Sequence, residues 1–280
     1  SEMCIRDRFM TYKQKAKQQW INTIMKAKWE EGKEPEVSGS TKNVSDIGGE
    51  FVKLFKVIFA EKDTDETEQN RLMKILSKQK ILKQSREELD RKISYNETLA
   101  VMENLPLGKQ AGPNRVPNGV FRRLATVMAP KFVAMINSTL KAGHLPNHFL
   151  EGDISMLFKK GERDDPRNYR PITLLNTDYK IFTRILAQRM NTVVHQFVSE
   201  SQKGFVPDTF IAEASMLMRM VEAYINEDEE NRKGIFLFLD MEKAFDRVSY
   251  DFTNKGLAAL GFGENFRKWV GMMYLSLIHI

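Results

Sequence analysis

Cysteine is nearly absent: Cys4 is the only one in 280 residues, so no disulfide can form within the chain. One thiol and four histidines make no CxxC pair and no His/Cys cluster with zinc spacing, which excludes a zinc site of that kind. No apolar run approaches the ~18 residues of a membrane span, and the opening SEMCIRDR lacks the apolar middle of a secretory signal. The chain therefore reads as soluble, without a membrane partner, in a reducing intracellular compartment. Also missing is any tyrosine followed two residues later by paired aspartates. The one such pair, Asp164 and Asp165, precedes Pro166 and reads as a solvated loop.

What is present is a modest excess of base. The 43 Lys+Arg against 37 Asp+Glu give a formal charge of +6, which suits an anionic partner but is mild for a dedicated nucleic-acid binder. At ~100–200 residues per domain, the length allows one large domain or two small ones. The start at Ser1 and the uncapped apolar end LSLIHI read as the ends of a fragment. Residues 1–10 and 276–280 resemble translated adapter read-through and are set aside from fold reasoning.

Residues 11–48 read as a basic helix and a linker. Lys13, Lys15, Lys17, Lys26 and Lys28 surround Trp20, Ile21, Ile24 and Trp29, an amphipathic pattern. Its Lys face could track a phosphate backbone, or simply be solvated over a Trp-anchored packing face. EGKEPEVSGSTKNVSDIG, residues 31–48, has linker composition, which sets a boundary near residue 45. Residues 49–93 read as helical, with an apolar face from Phe51 to Phe59 and charged helix beyond the polar stretch 61–70.

From residue 94 the punctuation sharpens. Ser94 with Glu97 three residues on is a capping-box pattern that opens a short helix running to about Asn104. GKQAGPNRVPN, residues 108–118, is a loop that could approach phosphates through Lys109 and Arg115, or merely connect. Val127, Phe132, Met135, Ile136 and Leu140 continue as a helix that Gly143 ends. ISMLFKK (154–160) and YRPITLL (169–175) read as a hairpin-like pair of strands carrying Lys159, Lys160 and Arg170. After Asp178, a good N-cap, Tyr179, Phe182, Leu186, Met190, Val193 and Phe197 make a helical stripe, with Lys180, Arg184 and Arg189 outside it. Phe210 to Tyr224 gives a further helix.

Ile235 to Leu239, five consecutive apolar residues, reads as an inner strand buried on both faces and ending in Asp240. A carboxylate at the rim of a core is costly unless Lys243, an arginine or a metal relieves it. A salt-bridged or helix-capping Asp is the plain reading. The chemical one is phosphoryl transfer, in which carboxylates on rigid elements hold two Mg²⁺ ~3.5–4 Å apart.

Five ordered blocks then carry a resemblance: LPLGKQAGPNRVPNGVF, LFKKGERDDPRNYRPITLLNTDYKIFTRILAQRM, SQKGF, FLDMEKAFDRV and GFGENFRKWV. Over roughly residues 90 to 275, the chain resembles the first part of the reverse transcriptase domain of non-LTR (LINE-like) retrotransposons. The fold this implies is α+β, the fingers and partial palm of a right-hand polymerase over residues 94–275, a sheet packed by helices, preceded by a helical segment. The activity implied is RNA-directed DNA synthesis, with an RNA template, a DNA primer, dNTP substrates, and Mg²⁺ as cofactor, in nucleus and cytoplasm.

By the same resemblance Asp240 is a catalytic metal ligand, and the carbonyl of Met241 completes the metal site. The backbone near Ala244 approaches the triphosphate, and Phe245 falls where the family places an aromatic steric gate under the ribose; core packing is the other role open to that ring. Arg170 matches the fingers arginine that clamps the triphosphate, and Lys159 the neighbouring lysine, with Lys160 a near alternative. Gln202 and Gly204 match a block close to template and primer, or form a helix-ending turn.

Two departures qualify this. Asn114 and Arg115 stand where the family loop reads Asp-Gly, and the Tyr-x-Asp-Asp block that supplies the second catalytic carboxylate is missing. One carboxylate cannot hold two Mg²⁺, so the 280 residues are expected to be inactive alone. The rival expectation is a decayed, non-enzymatic RNA-binding remnant. A group II intron maturase fits RPITLL, QKGF and FLDMEKAFD less well.

Overall fold

The computed structural model describes residues 21, 23–30, 33–60, 64–149, 151–227, 234–241, 244 and 248–277, with side chains as far as 274. It is a mixed α+β structure that divides into two compact units. The first takes the described residues up to 60 together with 152–174, and the second takes the rest.

The first unit pairs strand β1 (Ile24–Lys28) antiparallel with β2 (Glu36–Thr41). Their register slips between Lys26 and Ala27, and the displaced Ala27 amide donates instead to Glu50 Oε2 at 3.3 Å. That bond, with Lys53 Nζ 2.7 Å from Glu50 Oε1, accounts for a carboxylate only 3% exposed. Helix α1 (Val44–Ile58) starts at Asn43, whose side chain accepts from Ser45 N. Its Phe51 meets Tyr169 edge-on, ring centroids 5.4 Å apart, and Phe158 packs on the same tyrosine at 5.4 Å. Tyr169 and Phe158 belong to the hairpin of β3 (Gly152–Phe158) and β4 (Tyr169–Leu175). Ile24, Ile47, Phe51 and Tyr169 form the unit's small core, each large side chain contributing ~1.5–3 kcal/mol.

The second unit is helical. Its elements are α2 (Glu66–Leu76), α3 (Lys83–Asp90), α4 (Tyr95–Glu103), α5 (Asn118–Arg123), α6 (Ala125–Ala142), α7 (Thr177–Asn191), α8 (Ala212–Asn226), α9 (Tyr250–Ala259) and α10 (Glu264–Leu277). The capping box of Ser94 and Glu97 opens α4, and Gly143 at φ 75° closes α6 in the left-handed conformation that favours glycine. α4 packs on α6 and α7, around a core in which Phe182, Phe266, Ile136 and Trp269 are fully enclosed. Asp90 Oδ1 accepts from Phe266 N at 2.9 Å, so the end of α3 caps the start of α10.

Five expectations are corrected. Residues 24–28 of the supposed basic helix are a strand, and the supposed linker holds β2 and the start of α1. The two strands find one another across a loop, and pairing overrides a helical reading of local spacing. Lys13, Lys15, Lys17 and Trp20 lie outside the described residues. Ile235–Leu239 adopts no strand and is exposed, Ile235 by 95% and Leu239 by 82%, because no strand among the described residues pairs with it. Asp165 is no solvated loop residue: it is 8% exposed, and its Oδ1 accepts from Arg167 N at 2.8 Å. Asp178 sits in the first turn of α7, where Asn176 is the N-cap.

Candidate functional site

In the first unit, alternation along the hairpin decides what faces outward. Phe158 and Tyr169 turn in toward α1, so their successors Lys159 and Arg170 point the other way, and both are exposed. Lys159 N donates to Asn168 O at 2.8 Å, which brings the end of β3 beside the start of β4 and both cations to one face. Leu157, 37% exposed, and Ile172, 46% exposed, lie along the same strands. Cations interleaved with apolar side chains suit a phosphate chain with an attached apolar group.

The loop between the strands is held from several sides. Asp164 O accepts from Met25 N at 2.9 Å, and Tyr169 Oη donates to Arg163 O at 2.6 Å. Asp165 pairs with Arg167, whose Nη1 also reaches Glu34 Oε2 at 3.0 Å. The hydrogen bond to Asp165, foremost, raises the Arg167 pKa further above its already high value. Arg167 also lies over the Trp29 ring, 5.9 Å from its centroid. These anchors come from residues read in sequence as helix, linker and loop; the Asp-Pro-Arg-Asn run, a good cap-and-turn signal, is the one cue that could have found them.

In the second unit, Gln202 Nε2 donates to Gly204 O at 3.0 Å, closing a turn. Among the described residues a Cβ at Gly204 would meet only that amide, at 3.8 Å, so none of them crowds the backbone there. Asp240, Met241 and Ala244 are exposed and belong to no helix or strand, and Phe245 lies outside the described residues. Among the described residues no group of three or more His, Cys, Asp or Glu converges as a metal site. These residues as they stand do not fit a pair of Mg²⁺ ions.

The loop 108–118 is anchored in a way its composition did not reveal. Gly112 is packed so closely on α7 that a Cβ there would stand 2.5 Å from Asn176 N and 2.5 Å from Leu175 C. Asn176, fully buried, accepts from Asn114 N at 3.1 Å and donates to His148 O at 2.6 Å. Thr177 Oγ1 lies 2.9 Å from Val116 O and 3.0 Å from Asn118 Oδ1. His148 Nε2 is 2.9 Å from Asp178 Oδ2. The YRPITLLNTD stretch thus carries a cation in one unit and a docking point for a basic loop in the other.

Residues 158–279 match the family described as reverse transcriptase (RNA-dependent DNA polymerase). The "Transposon TX1 uncharacterized 149 kDa protein" of Xenopus laevis is 30% identical over 194 residues, 68% of this chain and 14% of that protein. The "RNA-directed DNA polymerase from mobile element jockey" of Drosophila melanogaster is 31% identical over 160 residues, covering 56% and 17% of the two chains. The "Retrovirus-related Pol polyprotein from type-1 retrotransposable element R2" of Popillia japonica is 30% identical over 132 residues, or 47% and 18%. The chain thus spans less than a fifth of the length of each of these relatives. No helix among the described residues is long and apolar enough to cross a membrane.

Proposed function

Because the chain belongs with the reverse transcriptases of non-LTR retrotransposons, we propose that it forms the fingers and first part of the palm of an RNA-directed DNA polymerase. The observation that carries this reading is the shared outward face of Lys159 and Arg170 on a hairpin fastened to α1 by Phe51, Phe158 and Tyr169. Such a face would grip a dNTP triphosphate, Arg170 by paired hydrogen bonds and Lys159 as a point charge. Gln202 and Gly204 would lie along template and primer, where Gly204, uncrowded by the described residues, allows close approach. Ala244 and Phe245 would border the nucleotide. The partners proposed are an RNA template, a DNA primer and dNTPs.

Mg²⁺ is the cofactor proposed for a protein that completes the site, with Asp240 and the carbonyl of Met241 contributing to it. The 280 residues offer one such carboxylate and are proposed to bind nucleic acid without synthesis. Primer extension tests this: the chain alone should extend nothing, and a chain continued through a Tyr-x-Asp-Asp block should extend a DNA primer on RNA. Synthesis by the chain alone would refute the proposed incompleteness.

The exposed run Ile235–Leu239 favours a second reading, a non-enzymatic RNA-binding remnant. That reading requires salt-sensitive RNA binding and no Mg²⁺-dependent synthesis in any continuation of the chain.

A further inference from the structure

Arg115 occupies a backbone conformation that suits another residue. Its φ is 60°, in the left-handed region. It is the last residue of a tight turn, Gly112-Pro113-Asn114-Arg115, closed by Arg115 N donating to Gly112 O at 2.9 Å. Glycine is the favoured residue at that corner of such a turn, because a Cβ there crowds the backbone. A long charged side chain is thus held where the fold by itself would prefer none, and strain of that kind is a cue to function.

The position is also rigid. Gly112 abuts the backbone of Leu175 and Asn176, Asn114 N donates to the buried Asn176 side chain, and Val116 N donates to Asn114 Oδ1 at 3.0 Å. Arg115 itself is exposed, and among the described residues it forms no ion pair. The acid in the first turn of α7, Asp178, is 8% exposed and engaged by Tyr179 N and His148. A second cation without an ion pair among the described residues, Lys180, follows on α7. Lys180 lies one helical turn beyond Thr177, the residue that meets Val116, so the two share a face of α7. Burial lowers the Lys180 pKa, and no carboxylate among the described residues offsets it. An anion on this side of α7 would complement the exposed Arg115 and the part-buried Lys180.

We propose that Arg115, with Lys180 of α7 adding to the local positive charge, is a contact for a phosphate of a single-stranded nucleic-acid backbone. The docked loop presents the guanidinium in advance, so little side-chain freedom beyond that of the arginine is lost on binding. The proposal rests on the nucleic-acid part of the reading above and not on polymerase chemistry. Phosphates of an RNA template and of a DNA primer share this chemistry, so the test contains both.

The test uses the 280-residue chain with fluorescent 20-nucleotide single strands of RNA and of DNA, titrated from about 50 to 200 mM salt. The variants are Arg115→Gly, Arg115→Ala and Arg115→Lys, each also melted thermally. Arg115→Gly and Arg115→Ala should weaken binding about three- to tenfold at the lowest salt and reduce the slope of log K against log salt by about 0.7, the share of one contact. Arg115→Lys should keep the slope. Arg115→Gly should melt no lower than the parent and above Arg115→Ala, since it alone removes the Cβ; loss of binding in a protein that is at least as stable cannot come from unfolding. A loss confined to RNA assigns the contact to the template strand, and one confined to DNA to the primer. Unchanged affinity and slope in Arg115→Gly, with the parent binding well, overturns the proposal alone. A parent that binds neither strand overturns the nucleic-acid reading and the proposal with it.

Discussion

Arg189 and Glu97, 92 residues apart, close a two-pronged ion pair, Nε to Oε1 at 2.7 Å and Nη2 to Oε2 at 3.0 Å. The guanidinium has five N–H donors, and every one is used. Nη1 donates to Leu89 O at 2.9 Å and Arg91 O at 2.6 Å, and Nη2 to Lys92 O at 3.0 Å. One side chain from α7 therefore satisfies the carbonyls that end α3 and the carboxylate that opens α4. It also lies over the Trp269 ring, 5.8 Å from the centroid.

Replacing Arg189 should be among the most damaging changes in the second unit. Arg189→Met leaves Glu97 with only the exposed Arg91, 3.9 Å away, as a cation and leaves three carbonyls without donors, an expected loss of about 3–5 kcal/mol. Arg189→Lys should recover little, since a point charge cannot reproduce the fork. Urea midpoints of the two variants measure this, and a midpoint within error of the parent would count against the clamp.

Stability should also fall in acid through Glu97. Burial would raise its pKa, but hydrogen bonds from Arg189 and Ser94 outweigh that and hold it at about 2, from an ordinary 4.5. A carboxyl whose folded pKa is depressed contributes stability above its unfolded pKa. That contribution is lost as pH falls from about 4.5 toward 2, and here amounts to at most about 3 kcal/mol. Urea unfolding of the parent and Glu97→Gln from pH 7 to pH 3 should show the gap between them narrowing as pH drops; a constant gap would show that the charge contributes nothing.

Gly112→Ala should dislodge the basic loop. The added methyl would meet backbone atoms of Leu175 and Asn176 at 2.5 Å, and backbone cannot swing aside as a side-chain tip can. An overpacking cost of about 1–3 kcal/mol is expected, along with faster amide exchange at Asn114, whose N–H would leave Asn176. Unchanged exchange there would show that the loop tolerates a Cβ.

The exposed run at 235–239 predicts tolerance where its sequence suggests a core. Phe238, 74% exposed, should accept Asp with a change in stability within about 0.5 kcal/mol. A drop of several kcal/mol would show that the run is packed in solution.

What the sequence made legible were features set by near neighbours. The Ser94–Glu97 capping box, the Gly143 stop, the α7 stripe and the 154–175 hairpin all rest on contacts within a few residues and reappear in the structure. What it hid depends on distant partners. Residues 24–28 become a strand only because residues 36–41 pair with them, and a Ser/Gly-rich strand has the composition of a linker. Arg189 falls outside an apolar stripe yet is 7% exposed, because Glu97 and three carbonyls surround it. Asn176 is one polar letter in a polar turn until Gly112 and His148 close around it. Of the candidate site, the sequence puts Lys159 and Arg170 on the two strands of one hairpin, and the register that brings them to one face comes from the Lys159 N–Asn168 O bond. The apolar run before Asp240 reads as a strand, which the described residues do not form.

Asp240 offers the sharpest check. The measurement is Mg²⁺-dependent extension of a DNA primer on an RNA template by the chain continued through a Tyr-x-Asp-Asp block, compared with the same protein carrying Asp240→Asn. Loss of detectable extension in the variant, with folding and RNA binding unchanged, is the predicted result. Extension at the parent's rate would contradict the assignment of Asp240 and, with it, the reading of this chain as part of a polymerase palm.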